Sequence, residues 1–408
     1  MEKRVIVIGV GAQGGTIAKK LDEEAIVSEI VCADYDLRAA KELEKKLKKV
    51  KAVRVDARNR EEIIKLTKGF SLIVNALPPD FNMNVMDAAL KNRCDYQDLA
   101  SGPVSNLGFI DSVKREMGRD EEFKRAGITG LMNTGSAPGL ANVMVRESLD
   151  KLERCEKIEI LVYDGVWSKK FIPFWWSPET AFGDMAAQPV IFEDGEFKLV
   201  KPFNNPQMEE FRGLGKRRMV DHEHEEPVTM GLLAKHPAMK GVKSVYFRYG
   251  GPALDLAEYF YKMGLLSSEP VDLNGTKVVP MELISKLTPP APKYPEEIKA
   301  VLDEGMISEE GAFVVRVYGL ENGRRVKYES YVNAPGLTES FKRAGMTHES
   351  YLTGQSAFLF TKMLVNDVIE TKGVFPPELL ETDARRYFFK EAAKLDITVD
   401  EIVERRLY

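Results

Sequence analysis

Val5-Ile6-Val7-Ile8-Gly9-Val10-Gly11-Ala12-Gln13-Gly14-Gly15-Thr16-Ile17-Ala18 decides how the chain is read. Branched apolar residues run into Gly-x-Gly-x-x-Gly, and a helix-compatible stretch follows. Each glycine answers a physical need. Gly9 permits a tight turn off a strand, Gly11 lets backbone approach a pyrophosphate, and Gly14 lets the next helix pack close to the strand. The N-terminus of that helix offers free N–H groups and partial positive charge to phosphates. Apolar Ile17, Ala18 and Leu21 then lead to a second strand, Ile30-Val31-Cys32-Ala33, ending in Asp34, twenty residues beyond Gly14. A carboxylate there accepts both ribose hydroxyls of NAD and repels the extra phosphate of NADP. The stretch predicts a dinucleotide site, with NAD preferred to NADP.

Outward from this stretch, strands and helices alternate. Short strands are expected at 52–55, 72–74, 96–99 and 128–132, with helices at 61–68 and 82–92. In such sheets ligands bind at the carboxyl ends of the strands. Asp34, Asp56, Asn75, Asp98 and Asn133 all fall at those ends. The expected dinucleotide contacts are Gly9, Gly11, Ala12, Gln13 and Gly14, then Asp34 and Tyr35. Asp56 and Ala57 are placed at the adenine, and Asn75, Ala76, Leu77 and Pro78 near the nicotinamide.

After Asn133 the pattern changes. A helix is expected from Leu140 to Leu152, followed by hairpins around Glu193-Asp194-Gly195-Glu196 and Glu321-Asn322-Gly323-Arg324. Another strand covers 243–249, and the Pro-rich 288–295 is a loop. Residues 351–372 read as one long apolar helix, stopped by Gly373, that returns to the first domain. The expected fold is α/β. It has a Rossmann-type doubly wound parallel sheet at 1–134, a central α+β domain with a mostly antiparallel sheet at 135–350, and C-terminal helices at 351–408 packing back on the first domain.

Composition limits the function. A length of 408 residues calls for more than one core, and 44% hydrophobic content supports a globular protein. No run approaches the roughly 18 apolar residues of a membrane span. The start enters a strand without a signal-peptide pattern, so a cytoplasmic protein is expected. Cys32, Cys94 and Cys155 lack a CxxC spacing, which argues against structural zinc, and no metal is expected. A net charge of −5 gives no reason to expect nucleic-acid binding.

Further motifs carry a resemblance: Ala33-Asp34-x-Asp36, Val55-Asp56-Ala57, Val74-Asn75-Ala76-Leu77, Asp98-Leu99, Gly135-x-Ala137-Pro138-Gly139-x-x-Asn142 and Arg248-Tyr249-x-Gly251. With them the chain resembles the saccharopine dehydrogenase-like family, and within it the lysine 6-dehydrogenases. The resemblance implies an NAD(P)-dependent amino-acid dehydrogenase that moves a hydride at the CH–NH carbon of a basic amino acid. The alternatives are a saccharopine or carboxynorspermidine dehydrogenase-type reductase, or a dinucleotide-binding regulator without turnover. It also implies a homodimer formed through the central domain.

Amine oxidation needs a group to take the ammonium proton, and Tyr96, Asp98, His222 and His224 are the candidates. The family resemblance selects His224, which stands three residues before Pro227-Val228-Thr229. Arg248 is the expected two-pronged anchor for a substrate carboxylate, with Arg212 weaker. Gly135, Ser136, Pro138 and His222 are the other expected substrate contacts. The aromatic run Phe171–Trp176 is expected to pack a dimer interface or a lid.

Overall fold

Strands that carry branched residues on both faces need cover on both sides, and a parallel sheet with crossover helices supplies it. Strands β1 (Lys3–Ile8), β2 (Val27–Asp34), β3 (Val50–Arg54), β4 (Leu72–Asn75), β5 (Asp95–Asp98) and β6 (Thr129–Leu131) lie in the order 3-2-1-4-5-6. Every neighbouring pair is parallel. The strand order reverses between β1 and β4, beside the glycine-rich turn, which is where such sheets hold a dinucleotide. This computed structural model describes residues 2–104 and 107–405.

The chain forms two compact units, Met1–Asp150 with Leu352–Thr398, and Lys151–Tyr351 with the residues from Val399 onward. The first unit extends past the expected residue 134. The helix Leu140–Leu149 belongs to it, because Asn142 donates to the Glu378 carboxylate at 2.8 Å and Arg385 reaches Glu147 at 2.7 Å. The long apolar helix spans His348–Val365 and ends short of Lys372. Gly373 does not merely stop it: Gly373–Phe375 forms a seventh parallel strand beside β6. The expectation that all of 351–408 packs as helices on the first domain is therefore corrected. Thr398–Arg405 is a strand of the other sheet.

That second sheet has nine strands. Its centre is Arg154–Ser168, a strand absent from the sequence reading, flanked by Ser244–Gly250 in parallel and Met306–Glu321 in antiparallel pairing. Gly215–Asp221 and Arg324–Asn333 continue it antiparallel on either side. Asn322 and Gly323 both take positive φ (50° and 70°), the geometry of a two-residue hairpin turn. In Ser244–Gly250, alternation puts Tyr246 and Arg248 on one face and Phe247 and Tyr249 on the other. That division locates the chemistry.

Within the run 171–176, Ile172, Phe174 and Trp175 are buried in the core of the second unit, whereas Phe171 is 50% exposed. Trp175 donates to the Val166 carbonyl at 3.0 Å and packs with Ile172, Ile298, Val301 and Leu337. No helix among the described residues is long and apolar enough to cross a membrane.

Candidate active site

In the first unit, the turn after β1 is closed by contact. Gly9 has φ +91°, and a Cβ there would meet the Ala76 carbonyl oxygen at 2.6 Å. A Cβ on Gly14 would lie 2.0 Å from the Gly9 carbonyl oxygen, so the helix Ala12–Glu23 approaches as closely as the motif requires. At Gly11 a Cβ would meet nothing within 4 Å. The turn is tight behind and open in front, with exposed Gly11 and Ala12 at the helix N-terminus and Gln13 half-buried. This cradle fits a pyrophosphate.

Asp34 sits beside it. Its Oδ2 accepts from the Val10 amide at 2.6 Å and its Oδ1 from the Asp36 amide at 2.9 Å, which fixes the carboxylate against the turn. Tyr35 is 58% exposed, with the Arg54 guanidinium 4.6 Å from its ring centroid. Asp56 is chelated by Arg58, whose hydrogen bonds hold its carboxyl down at about 2. Ala57 is buried, Asn75 is buried, and Ala76 and Leu77 are half-exposed with Pro78 exposed beyond them. Asn75 shapes that turn from beneath: its Nδ2 donates to Asn82 at 2.8 Å and to the Tyr96 hydroxyl at 3.3 Å.

Two expected proton acceptors belong to this buried network. Tyr96 is 0% exposed, and burial, with the Asp98 and Glu116 charges adding to it, raises its phenol well above the ordinary value. Asp98 is equally buried and accepts from the Asn133 amide at 2.6 Å. Both hold the ends of β5 and β6 in place and have no surface to offer a substrate. Ser136 is buried with its hydroxyl 2.8 Å from that of Thr353, and the Gly135 amide donates to the Pro138 carbonyl at 2.6 Å. These groups satisfy one another. Asn133 was read only as a strand end, yet it is buried at φ +62° with neither side-chain amide atom hydrogen-bonded.

In the second unit, His224 stands at the N-cap of the helix Glu225–Leu232, three residues before Pro227. Its Nδ1 lies 2.5 Å from Glu226 Oε2 and 3.2 Å from Glu225 Oε2, and its ring stacks on Phe247 at 3.7 Å with a 9° tilt. Burial would lower the imidazole; the Glu226 and Glu225 charges overcome it and lift His224 to about 9. His222 is buried without such help and is pushed down to about 3, first by burial and then by His224. The two histidines are thus divided, one charged and one neutral near pH 7.

Sequence reading missed the acids around His224. Burial raises Asp184 to about 6, Glu223 to about 7 and Glu225 to about 8. Rings form a wall along the same face. Tyr249 is 5.3 Å from His222 and 6.1 Å from Trp176 between centroids. Phe247 and Tyr249 were within reach of strand alternation, but Asp184 lies forty residues away in sequence and carried no motif.

Arg248 is corrected. It is 3% exposed, donates from Nε to Asp221 at 3.0 Å and from Nη1 to Glu159 at 2.8 Å, and lies 4.8 Å over Tyr246. Its charge is already neutralised on the face opposite Phe247 and Tyr249, so it does not present a free fork to a carboxylate. Arg212 pairs with Asp400 at 2.8 Å and lies over Tyr331.

Comparison with known proteins agrees with this geometry. The family model described as saccharopine dehydrogenase NADP binding domain matches residues 5–131, and that described as saccharopine dehydrogenase C-terminal domain matches 135–395. A carboxynorspermidine synthase from Vibrio alginolyticus is 26% identical over 402 residues, covering 93% of this chain and 92% of that one. A carboxyaminopropylagmatine dehydrogenase from Synechocystis is 21% identical, covering 93% of both. Among solved structures, the fold matches saccharopine dehydrogenase (L-Glu forming) from Saccharomyces cerevisiae, with TM-score 0.67, 14% identity, and coverage of 98% of this chain and all of that one. It also matches homospermidine synthase from Legionella pneumophila in complex with NAD, with TM-score 0.69, 13% identity, and coverage of 100% and 92%. With both domain models matched in sequence and the glycine-rich cradle in place, this chain belongs to the saccharopine dehydrogenase family of NAD(P)-dependent oxidoreductases.

Proposed function

We propose that this chain is an NAD-dependent oxidoreductase acting at the CH–NH carbon of a carboxylated polyamine, with lysine as the competing substrate. The observation that carries this is the His224–Glu226 pair set among acids and rings. A carbon bonded to nitrogen gives up the hydride of its C–H bond only when the nitrogen lone pair is free to form C=N, so the ammonium proton must leave first; in the reverse direction the nitrogen must be protonated. His224 serves either direction. Its Nδ1 is occupied by Glu226, which leaves Nε2 as the atom that exchanges a proton with the amine. A lift to about 9 brings the imidazole near the range of an alkylammonium, where transfer in both directions is efficient. The bound dinucleotide supplies the hydride acceptor. Gly9, Gly11, Ala12 and Gly14 would hold its pyrophosphate and Asp34 its ribose. The placement of Asp34 favours NAD over NADP.

Two full-length relatives carry the names of carboxylated polyamines, and the acids around His224 suit such a cationic chain. Arg248, committed to Asp221 and Glu159, does not discriminate between a carboxylated polyamine and lysine, since both substrates carry a carboxylate. We also propose a homodimer, since Tyr259, Met263, Leu273 and Leu287 stand exposed on the second unit; light scattering of the purified protein tests it.

The deciding assay follows reduced dinucleotide with carboxynorspermidine, saccharopine and lysine in turn. Carboxynorspermidine is expected to turn over fastest. His224→Asn should lower turnover about a hundredfold and leave dinucleotide affinity unchanged. Oxidation of lysine alone sinks the polyamine reading, and a loss confined to His222→Asn moves the proton chemistry to that residue.

A further inference from the structure

The face of the second sheet that carries Phe247 and Tyr249 has a gap in its side chains. Register pairs Phe247 with Ile160 and Tyr249 with Val162, so strand alternation puts Asp164 on this same face. The positions on either side of Asp164 are both glycine. Gly311 pairs directly with it on one neighbouring strand, and on the other a Cβ at Gly251 would lie 2.0 Å from the Asp164 carbonyl oxygen. Neither strand can cover the carboxylate with a side chain. The face is closed at buried Ile158 and Ile160 and opens at half-buried Val162 and Asp164, with Gly311 exposed.

His348, at the start of the helix His348–Val365, borders this notch. Its Nε2 is 3.6 Å from Asp164 Oδ1, too far for a hydrogen bond, and its Nδ1 is buried without a partner. Trp175 meets the imidazole edge-on at 5.5 Å and is itself tied to the Val166 carbonyl. Asp164 Oδ1 accepts from the Val166 amide at 3.1 Å; among the described residues Oδ2 accepts nothing, and no lysine or arginine pairs with the carboxylate. The side chains of Asp164 and His348 keep 15% and 19% of their surface open. A half-buried carboxylate without a fixed cation gains from a ligand that brings one. One carboxylate and one imidazole are too few ligands for a metal ion, whereas an alkylammonium needs only charge-assisted acceptors. From Ile160, level with the Phe247 on which His224 stacks, to Asp164 is about 13 Å of strand. That distance removes the notch from proton exchange at His224 and suits the far end of an extended chain.

We propose that Asp164, in the notch between Gly251, Gly311 and His348, receives a primary ammonium of the substrate other than the nitrogen that is oxidised, and so selects substrates that carry one. The inference rests on the proposed function for the identity of the reacting end only.

The test is titration calorimetry of the full chain at pH 8, without dinucleotide, using norspermidine and dipropylamine as probes. Dipropylamine keeps the central nitrogen and the carbon chain but lacks both terminal ammonium groups. The wild type is expected to bind norspermidine at least about tenfold more tightly. Asp164→Asn keeps an oxygen for the Val166 amide and should abolish that preference. Gly311→Val fills the notch without touching its charge, since a Cβ there meets only the Tyr163 carbonyl oxygen, at 3.5 Å. It should abolish the preference too, in a chain that melts as the wild type does. In turnover both variants should raise KM about tenfold and leave kcat within a few-fold. Wild-type protein that binds norspermidine no better than dipropylamine, or a preference retained by either variant, overturns the proposal. A purely structural role for Asp164 would lower the melting temperature of Asp164→Asn and spare its preference. The two readings separate cleanly. A preference lost in both variants while no substrate reduces the dinucleotide upholds this notch and fails the proposed activity. Turnover with KM unchanged in both variants does the reverse.

Discussion

Glu226 decides the charge of His224. Burial on its own drives an imidazole below 6.5, as it does at His222, and only the carboxylates beside His224 reverse this. Glu226→Gln removes the nearer one, so the His224 midpoint, read from ring NMR shifts, should fall from about 9 to below 6.5. A midpoint that stays near 9 would assign the lift to Glu225. The sign for stability follows from the raised value. The contribution of the pair is present in full below 6.5 and is lost as pH rises through about 9, so the stability gap between wild type and variant should shrink across that window. Arg248 makes the opposite case, a charge used for structure. Arg248→Ala would leave Asp221 and Glu159 buried without their cation and should lower unfolding free energy by about 3–5 kcal/mol in urea titrations. A KM effect with no loss of stability would return Arg248 to the substrate. Strand alternation puts Arg248 on one face with Tyr246, but does not say which face of that strand meets the substrate. That depends on Glu159 and Asp221, brought in by neighbouring strands.

The element that was most legible is the turn from β1 into its helix, because local chemistry alone shapes it. Asp34 adds a second duty to the one expected from its spacing: it clamps the Val10 and Asp36 amides. A serine has one short hydroxyl and cannot bridge both. Asp34→Ser should therefore weaken NAD at least about tenfold and raise the NADP-to-NAD preference, as read by fluorescence titration. Wild-type protein that binds NADP as tightly as NAD would remove Asp34 from the choice of nucleotide. The Asn322-Gly323 hairpin was equally legible, two residues with a backbone demand of their own. Arg154–Ser168 was not. Its mixture of charged and apolar residues makes sense only beside Ser244–Gly250 and Met306–Glu321, partners about ninety and one hundred and fifty residues away.

At the scale of the whole molecule, the first unit is built from two separated lengths of chain. Gly373–Phe375 is too short to announce itself as a strand and forms one only because β6 presents an open parallel edge. Gln97 on β5 donates to the Ala357 carbonyl at 2.9 Å, and Thr129 on β6 to the Thr371 carbonyl at 2.8 Å, so the returning segment satisfies polar groups of the sheet. Arg385 is buried and binds Glu147, Asp150 and the Leu380 carbonyl, which locks the later helix to Leu140–Leu149. Phe360 and Phe388 pack with centroids 4.6 Å apart and planes tilted by 33°, both wholly buried. If this segment completes the dinucleotide-binding unit, a cavity there must be felt at the cradle. Phe360→Ala should cost about 3–5 kcal/mol in chemical denaturation. It should also weaken dinucleotide binding measurably at temperatures near the transition. A variant that loses stability without any change in dinucleotide affinity up to its melting temperature would mean that the two lengths of chain fold as separate bodies.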